Sequence, residues 1–229
     1  MERSFHLRFV THNVRRFKAS DGSSTVPAIG RFLAELQPPP DIVALNEVDI
    51  STQPECLDSL ASMLGGYSVA FFGHVAGRYG NALLSRHSIC QTRETHLRGG
   101  SELSFPVGMR KRNGEIAKEG EKHRLGRGLL EADVDVPGGM VTFAVTHLDH
   151  ISESQREVQL EHILQSLAPS LTRPLVLLGD MNALTRNDYT DDEWEMIEQN
   201  AESKGWAPPS FGCLSALTSN GLQDAFVVS

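Results

Sequence analysis

Four separate apolar runs in this 229-residue chain end in side chains able to do chemistry. "RFVTHN" ends in Asn13, "DIVALNEVD" carries Asn46 and Glu47, "VTFAVTHLDH" carries His147 with Asp149 and His150 behind it, and "PLVLLGDMNA" delivers Asp180 and Asn182 directly after Leu175 to Leu178. In α/β sheets, ligands gather beyond strand ends, where rigid strands fix polar groups that would be costly inside. If the four ends converge, they make one acidic, oxygen-rich site. Hard oxygen donors suit Mg²⁺ or Mn²⁺ rather than zinc, and Mg²⁺ needs only one or two carboxylates plus substrate phosphate. Such a cation polarises a phosphoryl oxygen and stabilises the leaving oxygen, while a nearby imidazole contacts the developing charge or moves a proton. Taken singly, each residue has a plainer explanation: an Asp after a strand caps a helix, a His is merely hydrogen-bonded, Asn-Glu makes a turn.

The elements that must position these groups are legible as period-2 and period-3.6 patterns. Strands are expected over Leu7 to Val10, Ile42 to Leu45, Val69 to Phe72, Ala82 to Leu84, Leu129 to Val134, Val141 to Val145 and Leu175 to Leu178. The last of these reads as a strand buried on both faces. Ile29 to Leu36, Leu57 to Leu64 and Leu160 to Leu167 carry apolar residues at i, i+3, i+4 and i+7, so each is a helix with one face to bury. Thr52 with Glu55 and Ser152 with Gln155 have capping-box spacing before the second and third helices. The Pro-Gly-Gly of "VDVPGGMVTF" predicts a hairpin, and hence a mixed sheet. Gly99 to Gly126 reads as a long, polar, mobile loop. Trp194, with Ile197 and Ala201 at helical spacing, is expected to pack rather than stack on a base, and Trp206 follows it.

Composition bounds the partners. With 40% hydrophobic and 22% charged residues the chain reads as one soluble domain without a membrane span, and its start lacks the features of a secretory or transit signal, so cytosol, or cytosol and nucleus, is the simplest reading. Cys56, Cys90 and Cys213 have no paired-ligand spacing and read as free, reduced thiols. A net charge of −8 argues against coating nucleic acid by bulk attraction. Between Gly108 and Arg127, however, seven basic residues (Arg110, Lys111, Arg112, Lys118, Lys122, Arg124, Arg127) outnumber three acids. That patch either meets an anionic substrate or is a solvated loop.

The ordered blocks "THNVR", "ALNEVD", "YGNALLSR", "GRGLLEADV", "THLDH", "LLGDMNA" and "GLQDAF" resemble the endonuclease/exonuclease/phosphatase superfamily, which is deoxyribonuclease I-like. The resemblance implies an α/β fold: a four-layered α/β sandwich of two mixed sheets flanked by helices. It implies a Mg²⁺-dependent (or Mn²⁺-dependent) phosphoesterase that cleaves phosphodiester or phosphomonoester bonds by direct attack of water, with nuclease, phosphoinositide phosphatase or a related phosphodiesterase as its forms and nucleic acid among its partners. Glu47 would be the principal metal ligand, with Asn13 supporting the metal or its water shell. Asp180 would orient the attacking water as general base, Asn182 would hold the scissile phosphate, and His147 would stabilise the transition state. Arg127 resembles a phosphate-contacting Arg, or is an ordinary surface one; Asn81 and Tyr79 stand on the substrate side, supporting the site or packing beneath it.

One departure stands out. Members of the family continue past the "GLxDAF" block to an Ile-Asp-Tyr type strand and a Ser-Asp-His, whereas here none of the nine histidines lies in a Ser-Asp-His. The resemblance therefore implies a single domain over 1–229, truncated at its C-terminal side, with an unpaired apolar sheet edge. An alternative function follows: a catalytically impaired fragment that binds phosphate ligands or a partner. A third is a nonenzymatic α/β domain whose strand ends never meet.

Overall fold

The run Ile42 to Leu45 is apolar without a break because the strand it forms is covered on both sides, Val43 and Leu45 facing one core and Ile42 and Ala44 the other. The structure, a computed structural model, describes residues 6–105, 108, 111, 115–206 and 208–225. Its principal elements in chain order are β1 (Phe9–Asn13), α1 (Val26–Glu35), β2 (Ile42–Asp49), α2 (Cys56–Met63), β3 (Ser68–Val75), β4 (Tyr79–Ser85), β5 (Ser88–His96), β6 (Glu102–Ser104), β7 (Lys122–Arg124), β8 (Gly128–Val136), β9 (Gly139–His147), α3 (Glu153–Leu167), β10 (Leu175–Asp180), α4 (Asp191–Ser203) and α5 (Gly212–Ser219). Among the described residues, no helix is long and apolar enough to cross a membrane.

The chain forms two compact units. The first comprises Met1–His96, Arg127–His147 and Ala168–Asp180. It contains two four-stranded mixed sheets, ordered β1-β2-β4-β3 and β10-β9-β8-β5. Each has the same plan: one parallel pair at an edge, β1 with β2 or β10 with β9, followed by antiparallel neighbours. The sheets stack through Ile42, Ala44, Phe72 and Leu83 of one and Leu130, Ala132, Phe143, Val145 and Leu178 of the other. On its other face the first sheet is covered by Val26 and Leu33 of α1 and Leu57, Leu60 and Ala61 of α2. This is the α/β architecture of two mixed sheets with helices that the resemblance implies. The predicted hairpin is present, with Val136 opposite Gly139 across Pro137-Gly138.

The second unit comprises Leu97–Gly126, Leu148–Leu167 and Met181–Ser229. Its centre is α3, where Glu153 accepts from Cys213 N–H (3.1 Å) and Ser210 Oγ (3.2 Å) while pairing with Arg156. Trp194 is buried, stacks on Phe211 with centroids 5.5 Å apart, and donates from its indole to Glu198 (2.9 Å), in line with the packing role its spacing predicts. Asp149 is fully buried and accepts from Ser101 N (2.7 Å), Ser101 Oγ (2.8 Å), Ile151 N (2.8 Å) and Ser152 N (3.0 Å). It organises the loop before α3.

Several expectations are corrected. Leu175, Val176 and Leu177 are only half-buried, because β10 is an edge strand with one neighbour, and Leu178 alone of the run is buried. Neither predicted capping box forms. Helix α2 starts after Glu55 without a side-chain cap, and Gln155 instead accepts from Gly100 N–H (2.7 Å). The capping box that does form joins Thr190 and Glu193 at α4. Within Gly99 to Gly126, β6 and β7 pair as a short antiparallel ladder; of the basic residues there, Arg110 and Arg112 lie outside the described residues. Strand β5 was missed because its alternation is mostly exposed polar residues, giving no apolar run.

Burial alone would raise the Asp149 carboxyl, but the Ser101, Ser152 and Ile151 donors outweigh it and hold the group below its ordinary value. A depressed carboxyl contributes stability that is present above the unfolded pKa and lost as pH falls through the folded one. Asp149→Asn is therefore expected to lose about 2 to 4 kcal/mol at neutral pH by urea unfolding, because the Ser101 N–H loses its acceptor and the other donors lose a charged one. The gap between variant and parent should narrow as pH drops toward about 3; an unchanged gap would contradict this account.

Candidate active site

Parallel pairing brings the polar strand ends together in register. Asn13 at the end of β1 stands opposite Asn46 of β2, and Asp180 at the end of β10 stands opposite His147 of β9. All four belong to the first unit, and β1 and β10 lie against each other.

Asn46 is the joint between the sheets. It is 1% exposed, and its Nδ2 donates to Asn81 Oδ1 (2.9 Å) and to the Thr146 carbonyl (2.8 Å), while its Oδ1 accepts from Asp180 N–H (3.0 Å). Asn81, fully buried, in turn donates to the carbonyls of Gly128 (2.8 Å) and Val145 (3.3 Å). One amide pair thus ties β2, β4, β9 and β10 where an unpaired polar group would be most costly. Gly179 permits the close approach: its φ is 132°, and a Cβ there would sit 1.9 Å from the Thr146 carbonyl oxygen.

Glu47 follows Asn46 at a break in the register of β2 with β4, and its φ of 58° puts a non-glycine residue in the left-handed region. A bulge of this kind re-aims a side chain out of the ladder. Here it turns Glu47 toward Asn13, whose Nδ2 donates both to Glu47 Oε1 (3.0 Å) and to Asp180 Oδ2 (2.9 Å). Asn13 Oδ1 accepts from Arg15 N–H (3.1 Å), which fixes the amide's orientation. As placed, Asn13 restrains the two carboxylates through its Nδ2. His147 is 4% exposed, with Nε2 3.8 Å from Asp180 Oδ2, beyond a direct hydrogen bond but within ion-pair range when the imidazole is protonated.

Tyr79 opens β4 beside Glu47. Burial first, then the Glu47 charge, pushes its phenol up to about 12, so it stays a protonated donor at neutral pH. Arg127 and Arg16 act on Tyr79 in the opposite sense, which places both guanidinium groups within electrostatic reach of it. Arg127 is 5% exposed, so of the two readings its sequence allows, the ordinary surface Arg falls. His74, which sequence reasoning passed over, is buried edge-on against Tyr79 and Phe72. Asn182 belongs to the second unit, where its Nδ2 donates to the Leu148 carbonyl (3.0 Å) and its φ is 48°.

The donor set can be tested against a cation. Among the described residues, no group of three or more His, Cys, Asp and Glu side chains could hold a metal by itself. Among the described residues a zinc-type cage therefore has no counterpart, and Cys56, Cys90 and Cys213 are free thiols. Two carboxylates sharing one amide donor fit Mg²⁺ or Mn²⁺, which bind one or two carboxylates and complete their shells with water and phosphate oxygens.

Asn46→Ala is expected to cost about 3 kcal/mol in urea unfolding, and the isosteric Asn46→Asp at least as much, because aspartate cannot donate to Thr146 O or Asn81 Oδ1. A neutral Asn46→Asp would show that the network is not what joins the strands.

No curated protein matches the sequence. Among solved structures, the chain is similar to a mannosyl-6-phosphatase from Bacteroides thetaiotaomicron, with 19% identity and a TM-score of 0.56 over 79% of this chain and 67% of that one. It is similar to an endonuclease/exonuclease/phosphatase from Bacteroides vulgatus (19%, TM-score 0.56, 85% and 71%) and to TDP2 from Caenorhabditis elegans (18%, TM-score 0.56, 81% and 50%). At these identities the likeness is one of fold, and the chain spans between 50% and 71% of the three chains' lengths. The model of the Endonuclease/Exonuclease/phosphatase family matches residues 10–213, an interval that takes in every strand end described above, and the chain belongs to that family.

Proposed function

We propose that this chain is a Mg²⁺- or Mn²⁺-dependent phosphoesterase that cleaves a P–O bond by direct attack of water. The observation that supports this most is the single Asn13 amide donating to both Glu47 and Asp180, which gathers two carboxylates from β2 and β10 at one point. The three activities in the family's name are all hydrolyses of phosphate esters.

In this reading Glu47 is the principal ligand of the cation, aimed by its bulge, and Asp180 contributes through its partly exposed carboxylate. The bound cation supplies Lewis-acid polarisation of a phosphoryl oxygen and stabilises the leaving oxygen. Asp180 orients the attacking water and accepts its proton; its backbone is pinned by Asn46 and its carboxylate by Asn13, so little reorganisation is needed. His147 donates from Nε2 to a phosphate oxygen on the Asp180 side, stabilising charge as it develops. Tyr79 hydrogen-bonds Glu47, and Arg127, within electrostatic reach of Tyr79, supplies a positive charge toward the same anion. Asn81 acts by positioning, through Asn46.

Bis(p-nitrophenyl) phosphate and p-nitrophenyl phosphate assays in Mg²⁺ test the proposal. Turnover should vanish with EDTA and return with Mg²⁺, and Glu47→Gln and Asp180→Asn should each lower kcat by about 10² to 10⁴ with unchanged unfolding midpoints. Activity that survives both substitutions would reject it. Mg²⁺ and phosphate binding by calorimetry without turnover would select the phosphate-binding fragment instead.

A further inference from the structure

Directly after Asn13 the chain does something costly. Arg15, Arg16 and Phe17 have φ values of 48°, 61° and 55°, three successive non-glycine residues in the left-handed region that L side chains resist. The turn is held from several sides. Val14 N–H bonds the Asn46 carbonyl (2.9 Å), Phe17 N–H bonds Val14 O (2.8 Å), and Phe17 O accepts from Thr25 N (3.0 Å) and Gln53 Nε2 (3.2 Å). The Phe17 ring is fully buried and anchors the turn in the core.

What that conformation achieves is the placement of cations. Phe17 points in, and Arg15, Arg16 and Lys18 are exposed around it. Arg16 Cζ stands 5.5 Å from the centre of the Tyr79 ring, the same Tyr79 that adjoins Glu47. Arg15 and Lys18 also border, with Asn13, a groove that is otherwise lined largely by apolar residues of β1 and α1. Among the described residues none of these three cations forms a salt bridge, whereas Arg86, Arg93, Arg156, Arg173 and Arg186 all do. In a chain of net charge −8, three cations within four residues, without a salt bridge among the described residues, are a local reversal of sign that suits an anion.

We infer that the Arg15–Arg16 turn is a second anion site, and that the chain favours phosphate esters carrying a further phosphate next to the one that is cleaved. The inference rests on the phosphoesterase reading, with the scissile group at Glu47 and Asp180. Stacking on Tyr79 restricts Arg16 and presents its planar guanidinium for bidentate contact with phosphate oxygens, a geometry that lysine does not reproduce. Arg15, for which no such stacking is seen among the described residues, is the less restricted of the two.

Two chromogenic esters test it: thymidine 5′-(p-nitrophenyl phosphate) with and without a 3′-phosphate. For the parent protein in Mg²⁺, the 3′-phosphate should lower KM by about tenfold with little change in kcat. Arg16→Ala should erase that ratio and Arg16→Lys restore part of it. Arg16→Asn, whose side chain tolerates the left-handed region, separates loss of charge from loss of the turn and should also erase the ratio. A third ester, in which the second phosphate is an internal diester of a dinucleotide, distinguishes the source of the anion. An equal advantage there points to a nucleic-acid strand, and an advantage confined to the terminal phosphate points to small bisphosphates. If no ester turns over, the phosphoesterase reading falls, and the inference is judged by calorimetry with thymidine 3′,5′-bisphosphate against thymidine 5′-monophosphate. A preference for the bisphosphate that is lost in Arg16→Asn supports it. Equal KM values, equal affinities, or a preference that survives both Arg16→Ala and Arg16→Asn overturn it.

Discussion

A buried carboxamide has one acceptor and two donor hydrogens, and Asn46 spends all three on different strands. The rest of the site depends on that valence. Two stacked sheets held only by apolar contacts can slide by fractions of an ångström, because dispersion and hydrophobic burial are nearly non-directional. Hydrogen bonds in a low-dielectric core are directional and expensive to break, so the Asn46–Asn81 pair fixes one sheet against the other at the level where the strand ends open to solvent. Asp180 inherits its position from this joint through its own backbone N–H, and Asn13 sits opposite Asn46 across the parallel ladder.

Around this joint the backbone departs from the easy regions of conformational space at several places: Glu47, Gly179, and the Arg15 to Phe17 turn. Strain of this kind persists where the surroundings over-determine the conformation, and it concentrates at functional sites. Each departure has its own local consequence. The bulge turns Glu47 out of the ladder, Gly179 lets β10 approach Thr146, and the left-handed turn exposes two guanidinium groups while burying Phe17.

Much of this was legible in the residues. The apolar runs located every strand whose faces are buried, helical periodicity located α1, α2 and α3, and the polar strand ends pointed to Asn13, Glu47, His147 and Asp180 as a group. What stayed hidden shares a physical cause: it depends on pairing partners far away in the chain. Asn46 looked like half of an Asn-Glu turn, although its partners lie 35, 100 and 134 residues away. Arg127 carried no mark of burial, since an arginine enters a core only where the fold supplies it with company. Asp149 resembled a site residue because it follows His147, yet Ser101, 48 residues away, and the amides of Ile151 and Ser152 engage its carboxylate. The capping boxes failed because spacing alone cannot show that Gln155 has a better partner in Gly100.

The bond between Asn13 and Asp180 spans 167 residues of sequence. By contrast, β8 and β9 are joined by a two-residue turn and can pair without closing any large loop. Loop-closure entropy grows with the length enclosed, so hairpins form readily while contacts of such separation wait for the sheets to bring their ends near. The carboxylate pair is thus among the last features to come into being as the chain folds. The order of assembly therefore separates the elements from the site: strands joined by short turns can pair early, whereas Glu47 and Asp180 share the Asn13 amide only once both sheets are in place.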